Sequence, residues 1–229
     1  MTRNLAARLR AAACAAMLAP AVLFAAPATA SAGTPAPGAA VTDSMGPLAS
    51  PAVEIENFGI VDGRIYRGAQ PKGDDYVALA RLGITTVVDL RADAKKDSRR
   101  LAEAAGLRYV NIPMKGSGGT PTDDDARRFL EAVDGPSAGA VYVHCAGGRH
   151  RTGSMIAVYR MAHQGWSIDH AYAEMEAYDF YTRNGHKGFK TYVEDFADRL
   201  KADRDRVLAS VHEAHPAAAA SVAEPPAAR

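Results

Sequence analysis

A chain of 229 residues, 48% apolar and 23% charged, is long enough for one globular domain with appendages and carries no sign of a second enzyme domain. Its 27 Lys and Arg nearly balance its 26 Asp and Glu, a net charge of +1, so no global charge argues for a nucleic-acid partner. No internal repeat recurs at a period between about 20 and 50 residues, which argues against a solenoid.

The chain begins with Arg3, Arg8 and Arg10 ahead of an apolar stretch from Ala11 to Ala26. Ala28-Thr29-Ala30 or Ala30-Ser31-Ala32 then offers small residues for cleavage. Residues 1–32 read as a secretory signal peptide, and the expected location is secreted or periplasmic. The run is short and alanine-rich for a membrane span, so no stable span is expected after cleavage; an uncleaved N-terminal anchor is the alternative. Cys14 sits early in the apolar run behind alanines, which does not suit a lipoprotein site. Removing this segment takes three of the 27 basic residues and none of the 26 acidic ones, leaving a net charge near −2. Residues 33–52, rich in Pro, Gly, Ala and Ser, read as a flexible linker, and 215–229 as a similar disordered tail.

Between these ends the pattern alternates. Short apolar runs at Phe58–Val61, Ile65–Tyr66, Ile84–Leu90, Tyr109–Ile112 and Ala140–His144 predict strands. Helical spacing predicts helices at Asp74–Leu82, Lys96–Ala105, Thr122–Val133, Thr152–Gln164 and Ile168–Tyr178, with a long last one from about Gly188. The alternation is that of an α/β fold, a sheet flanked by helices. The domain spans 53–203, with 204–214 as an extension of the last helix.

Once residues 1–32 are gone a single cysteine remains, in Val141-Tyr142-Val143-His144-Cys145-Ala146-Gly147-Gly148-Arg149-His150-Arg151-Thr152-Gly153. A thiol, five residues and an arginine link a predicted buried strand to a predicted helix, so Cys145–Arg151 forms a loop opening at a helix N-terminus. Unpaired backbone N–H groups and the positive end of the helix dipole favour an oxyanion there and make a thiol more acidic. Gly147 and Gly148 let the backbone curl with its amides inward, and the planar fork of Arg151 matches two phosphate oxygens. With no second cysteine in the remaining chain, Cys145 has no disulfide partner and no resolving thiol against oxidation. Met155, Ile156, Val158, Tyr159 and Met161 read as core contacts of the following helix.

On these residues the chain resembles the cysteine-dependent protein tyrosine phosphatase superfamily, whose signature is His-Cys, five residues, then Arg followed by Ser or Thr. It is closest in pattern to the small bacterial and plant or fungal dual-specificity phosphatases. Gly148-Arg149-His150-Arg151-Thr152-Gly153 is similar to their Gly-Lys-His-Arg-Thr-Gly, and Ile65-Tyr66-Arg67-Gly68-Ala69-Gln70-Pro71 and Thr86-Val87-Val88-Asp89-Leu90-Arg91 agree. The likeness covers roughly residues 53 to 203. It implies a three-layer sandwich with a central, mostly parallel sheet, and hydrolysis of a phosphomonoester through a phosphocysteine on Cys145 without metal or organic cofactor. Arg151 and the loop from Ala146 through Gly147, Gly148, Arg149 and His150 would bind the phosphoryl oxygens. Thr152 would ease departure of the sulfur, and His144 would orient the loop.

The implied substrates are phosphorylated proteins, with phosphorylated small molecules or lipids as the alternative. Arg149 resembles the lysine of phosphatases acting on phosphoinositides or inositol phosphates, and Arg183, His186 and Lys187 form a second basic loop that would add to the pocket. A non-catalytic phosphate-binding module is a weaker alternative. The resemblance weakens at the general acid. The segment Met114-Lys115-Gly116-Ser117-Gly118-Gly119 places glycines where the acid is expected. Asp123 is then the acid candidate and His150 the second, although Asp123–Asp125 also suit the first turn of a helix capped by Thr122. Asp89 and Arg91 read as strand-end residues that support the loop.

Overall fold

The computed structural model describes residues 53–94 and 96–214. The expected signal peptide, linker and C-terminal tail lie outside the described residues. Five strands form one sheet: β1 (Gly59–Ile60), β2 (Ile65–Gly68), β3 (Thr86–Arg91), β4 (Arg108–Met114) and β5 (Val141–His144). Their order is β1-β2-β5-β3-β4, with β1 antiparallel to β2 and all other pairs parallel. β5 is central, paired with β2 from Ile65↔Val141 to Gly68↔His144 and with β3 from Thr86↔Val141 to Asp89↔His144.

The central strands β3 and β5 are buried at every position, which is why neither reads as an alternation of apolar and polar residues. Successive side chains still serve opposite faces. Val87 and Tyr142 pack into one core with Phe58, Tyr76, Leu79 and Leu107, while Val88 and Val143 join Ile112, Phe129, Val133 and Met155 in the other. Helices α1 (Asp75–Arg81) and α2 (Lys96–Ala104) cover the first face. The second is covered by α3 (Asp123–Asp134) and α4 (His150–Gln164), and α5 (Ile168–Ala177) and α6 (Lys187–Ala214) pack on α4. Between α4 and these last two lies a third core of Ala157, Met161, Ala171, Met175, Phe180, Phe189 and Val193. α4 is therefore buried around its whole circumference from Thr152 to Met161, wedged between the sheet and two helices.

The α/β sandwich with a mostly parallel sheet matches the expectation, as does the cap of α3, and one boundary differs in a way that bears on the site. Thr122 is the cap of α3: its hydroxyl accepts from the Asp125 amide at 3.1 Å while the Asp125 carboxylate accepts from the Thr122 amide at 2.9 Å. α4 begins at His150, not Thr152. The left-handed turn that ends the loop is made at Gly148, φ +69°, so helical geometry starts as soon as that turn is complete and Arg151 belongs to the first helical turn.

Candidate active site

β5 delivers Cys145 to the C-terminal edge of the parallel sheet, where α/β proteins bind ligands. What shapes the loop is the fate of its carbonyl groups. The Cys145 carbonyl accepts from His144 Nδ1 at 3.0 Å, Ala146 from the Gln70 amide at 3.1 Å, Gly147 from Asn57 Nδ2 at 2.8 Å and Gly148 from Arg67 Nη2 at 3.0 Å. Four consecutive carbonyls are thus held outward by the neighbouring His144 and by donors from two other segments, and the amides of the same trans peptides face the interior of the loop. Gly148 has no substitute in this arrangement: besides its positive φ, a Cβ there would sit 2.5 Å from the Gly68 backbone.

Cys145 is a free thiol, 3% exposed. Burial by itself pushes the thiol up. The Thr152 hydroxyl and amide, the Arg151 guanidinium and the Gly148 amide outweigh it, so the pKa ends below the ordinary thiol value and the thiolate is favoured. Thr152 Oγ1 is buried and has no other hydrogen-bond partner, which leaves its hydroxyl to act on the sulfur. His144, fully buried and stacked on Tyr142, is held neutral by burial; its Nδ1 carries the proton donated to the Cys145 carbonyl. It orients the loop and is not among the residues that line the pocket.

The pocket over the thiol has a volume of about 150 Å³. Cys145, Ala146, Gly147, Arg149, His150 and Arg151 line one side, and Gly116, Ser117, Tyr181, His186 and Phe189 close the other. Gly148 and Thr152 act from behind this wall. Arg151 donates to the Met114 carbonyl at 3.4 Å, and a Cβ on Gly116 would lie 3.9 Å from its guanidinium, so β4 and the loop after it hold the arginine over the cavity. Of the second basic loop only His186 reaches the pocket. Arg183 lies over the Tyr181 ring at 4.3 Å and lines an adjoining depression, and Lys187 lines neither.

Two expectations are corrected. Asp123 is not at this pocket: its Oδ1 accepts from Arg199 Nη2 at 2.7 Å and from the Tyr192 hydroxyl at 3.1 Å, in a groove of about 550 Å³ between α3 and α6. Among the described residues, no carboxylate lines the pocket over Cys145. Arg149 is not a free cation at the mouth. Its Nη2 is hydrogen-bonded to Glu56, and its Nε lies 3.5 Å from Asp179. His150, the other acid candidate, donates from Nε2 to the Tyr181 carbonyl at 3.1 Å; burial and the neighbouring His186 push its pKa down to about 4.

Behind the loop, Asp89 is fully buried and accepts from Arg91 Nη2 at 2.6 Å and the Tyr109 hydroxyl at 2.6 Å. Arg91 donates onward to Gln70, whose amide holds Ala146. On the other flank the buried Arg67 lies 3.7 Å over the Tyr178 ring while gripping Gly148. Burial lowers its pKa, and Glu174, Tyr178 and Cys145 act in the opposite direction. Asn57, Arg67 and Gln70 are the supporting residues whose roles the sequence did not declare; Arg67 and Gln70 lie in the Ile65–Pro71 segment singled out above.

Comparison with known proteins places this geometry. The chain is 33% identical over 136 residues to the dual specificity protein phosphatase TpbA of Pseudomonas aeruginosa (strain UCBPP-PA14), an alignment covering 56% of this chain and 57% of TpbA. It is 26% identical over 130 residues to the inositol diphosphatase SIW14 of Saccharomyces cerevisiae, covering 55% and 46%. The chain thus spans little more than half the length of the first relative and less than half of the second. The crystal structure of P. aeruginosa TpbA superposes with a TM-score of 0.56 at 25% identity, over 69% of this chain and 94% of that one. The SIW14 catalytic core from S. cerevisiae does so with a TM-score of 0.56 at 23% identity, over 69% and 94%, a likeness of fold. Residues 55–195, more than half of the chain, match the family described as DSP-PTPase phosphatase fused to NAD+ kinase, and the chain belongs to that family.

Proposed function

We propose that this chain is an exported cysteine-dependent phosphatase of the tyrosine and dual-specificity type. The observation that carries the reading is the orientation of the Cys145–Gly148 peptides, carbonyls held outward and amides inward around a thiol whose pKa is lowered, with Arg151 over the cavity. The thiolate attacks phosphorus, forming a sulfur–phosphorus bond as the bond to the ester oxygen breaks. Inward amides and Arg151 hold the equatorial oxygens, where charge spreads in the transition state. Water then attacks phosphorus, the sulfur–phosphorus bond breaks, and Thr152 favours the departing thiolate.

A phosphorylated protein is the favoured substrate. TpbA is a dual specificity protein phosphatase, and its variant has been crystallised with phosphotyrosine. The carboxylates on Arg149 support the same choice, because a substrate with several phosphates would meet Glu56 and Asp179 beside the pocket. An inositol phosphate is the second reading, favoured by the resemblance to SIW14.

Phosphate release by the reduced full chain from phosphotyrosyl peptide, phosphoseryl peptide, phosphoinositide and inositol polyphosphate tests both. Cys145→Ser is expected to abolish turnover while still binding inorganic phosphate. No Cys145-dependent release from any of the four would overturn the enzyme reading in favour of a binding module. In the same preparation, recovered by export, the mass should correspond to an N-terminus at Ser31 or Gly33; an intact Met1 argues for the anchored alternative.

A further inference from the structure

We propose that His186 is the proton donor to the leaving oxygen of the substrate, an inference that rests on the phosphatase reading above. The pocket is small, about 150 Å³, and His186 lines it together with Cys145 and Arg151. Its lining holds no carboxylate. A guanidinium gives up no proton in a protein. A phenol is a far weaker acid than an imidazolium. The N–H of His150 is committed to the Tyr181 carbonyl, and burial keeps that ring neutral. His186 is the remaining group able to give a proton.

The structure also fixes where His186 stands. Its ring stacks on His150 with centroids 3.6 Å apart and planes 12° apart, with the Tyr181 ring edge-on at 5.3 Å. The turn that carries it is fastened to the glycine loop where the family places its acid: the Gly118 amide donates to the Gly185 carbonyl at 3.0 Å, and the Ser117 hydroxyl donates to the Asn184 carbonyl at 2.5 Å. A Cβ on Gly185 would lie 3.0 Å from the Gly118 nitrogen, so the two loops meet this closely because glycine stands at the junction. The acid loop therefore delivers no acid of its own and instead holds the turn that presents one.

In the first step the Cys145–phosphorus bond forms, the phosphorus–oxygen bond breaks, and that oxygen takes the proton of the His186 imidazolium. In the second the neutral imidazole takes a proton from the attacking water as the sulfur–phosphorus bond breaks, which restores thiolate and imidazolium and releases phosphate. Among the described residues, His150 and Arg151 at the start of α4, the Tyr181 phenol, and Cys145 and Arg149 of the same pocket are the titratable or charged groups facing His186. In the free protein, burial and Arg151 push its pKa down. A bound phosphate dianion between the two offsets Arg151, so protonation accompanies binding.

The test is kcat/KM of the full chain and of His186→Gln across aryl phosphates from 4-nitrophenyl to unsubstituted phenyl phosphate. General acid catalysis is worth about 10² to 10⁴ and matters most for a poor leaving group. His186→Gln is expected to lose about 10²-fold on phenyl phosphate, to lose only a few-fold on 4-nitrophenyl phosphate, and to lack the decline of the wild-type rate with rising pH. A partly unfolded variant changes all rates equally and leaves the dependence on leaving group untouched, so the slope decides. Equal losses across the series, or none, would overturn the role of His186 alone. Absence of Cys145-dependent release by the wild type from every aryl phosphate would remove the phosphatase reading itself.

Discussion

The sulfur of Cys145 and the hydroxyl of Thr152 form the smallest unit of this site, and the balance between them is testable. Burial opposes the thiolate, and the hydroxyl and amide of Thr152, with Arg151 and the Gly148 amide, reverse that opposition. Thr152→Val keeps the shape of a fully buried side chain whose hydroxyl has no other partner, so it removes that one contribution. Because the hydroxyl favours the charged form, its loss raises the thiol pKa. The rising limb of kcat/KM against pH should then move to higher pH. A hydrogen bond to a charged group is worth about 1.5 to 3 kcal/mol, so hydrolysis of the phosphocysteine should slow by about tenfold or more. Burst kinetics at several pH values check both effects; an unmoved limb would assign the thiolate to Arg151 and the amides. Cys145, Arg151 and Thr152 were legible in the sequence because one loop and one helical turn hold them contiguously. The loop-holding roles of Asn57 and Gln70 were not, because nothing local distinguishes them and they reach the loop from segments far ahead of it in the chain; His186 was legible as part of a basic loop that adds to the pocket, not as a proton donor.

At the scale of elements, the long and fully buried strands and helices were readable, and the joints between them were not. β5 announces itself as an unbroken apolar run, and β3 does so with only Asp89 interrupting it, because both are covered on two faces. The start of α4 was misplaced because the phosphate-binding motif suggests a loop up to Arg151, whereas the conformation turns at Gly148. Nor does any periodicity reveal how α4 and α5 are joined. Arg160 donates to Glu174 through Nε at 3.2 Å and Nη2 at 2.6 Å, with both side chains at most 4% exposed, and its guanidinium lies 4.0 Å from the Trp166 ring centroid. Removing Glu174 strips the buried guanidinium of this carboxylate and its hydrogen bonds, at a cost of up to about 3 to 5 kcal/mol. Glu174→Ala should therefore lower the free energy of unfolding by that much, read as a fall in the denaturant midpoint with the m-value unchanged. Since α5 carries Glu174 and precedes the turn holding Tyr178, Asp179 and Tyr181, this variant should also weaken phosphate binding. A change below about 1 kcal/mol would show the pair to be a surface-like contact despite its burial.

Only the whole molecule brings Arg149 together with Glu56, 93 residues away and ahead of β1, and with Asp179, just past α5. The depression beside the pocket is lined by Arg149 and Arg183 against Glu176 and Asp179, with Glu56 on the far side of Arg149, so the rim around a bound phosphate is balanced or slightly acidic. A substrate with one phosphate places its charge inside the amide loop and does not need this rim. A polyphosphate must lay further charge against it. Glu56 and Asp179 are 57% and 66% exposed, so their pairs with Arg149 are screened and contribute little to stability, yet they engage Nη2 and Nε of a guanidinium that lines the pocket. The double variant Glu56→Gln with Asp179→Asn releases Arg149 and removes two negative charges. Asn accepts the left-handed backbone of position 179, φ +60°, so the turn is kept. At about 1 kcal/mol for each charge pair at contact distance in water, competitive inhibition by an inositol polyphosphate should tighten by about tenfold, and by inorganic phosphate hardly at all. The gain should shrink as ionic strength rises through the range where the screening length falls from about 10 Å to 3 Å. Equal tightening for both ligands would assign the effect to the pocket field as a whole, and no tightening for either would leave Arg149 without a part in selecting the substrate.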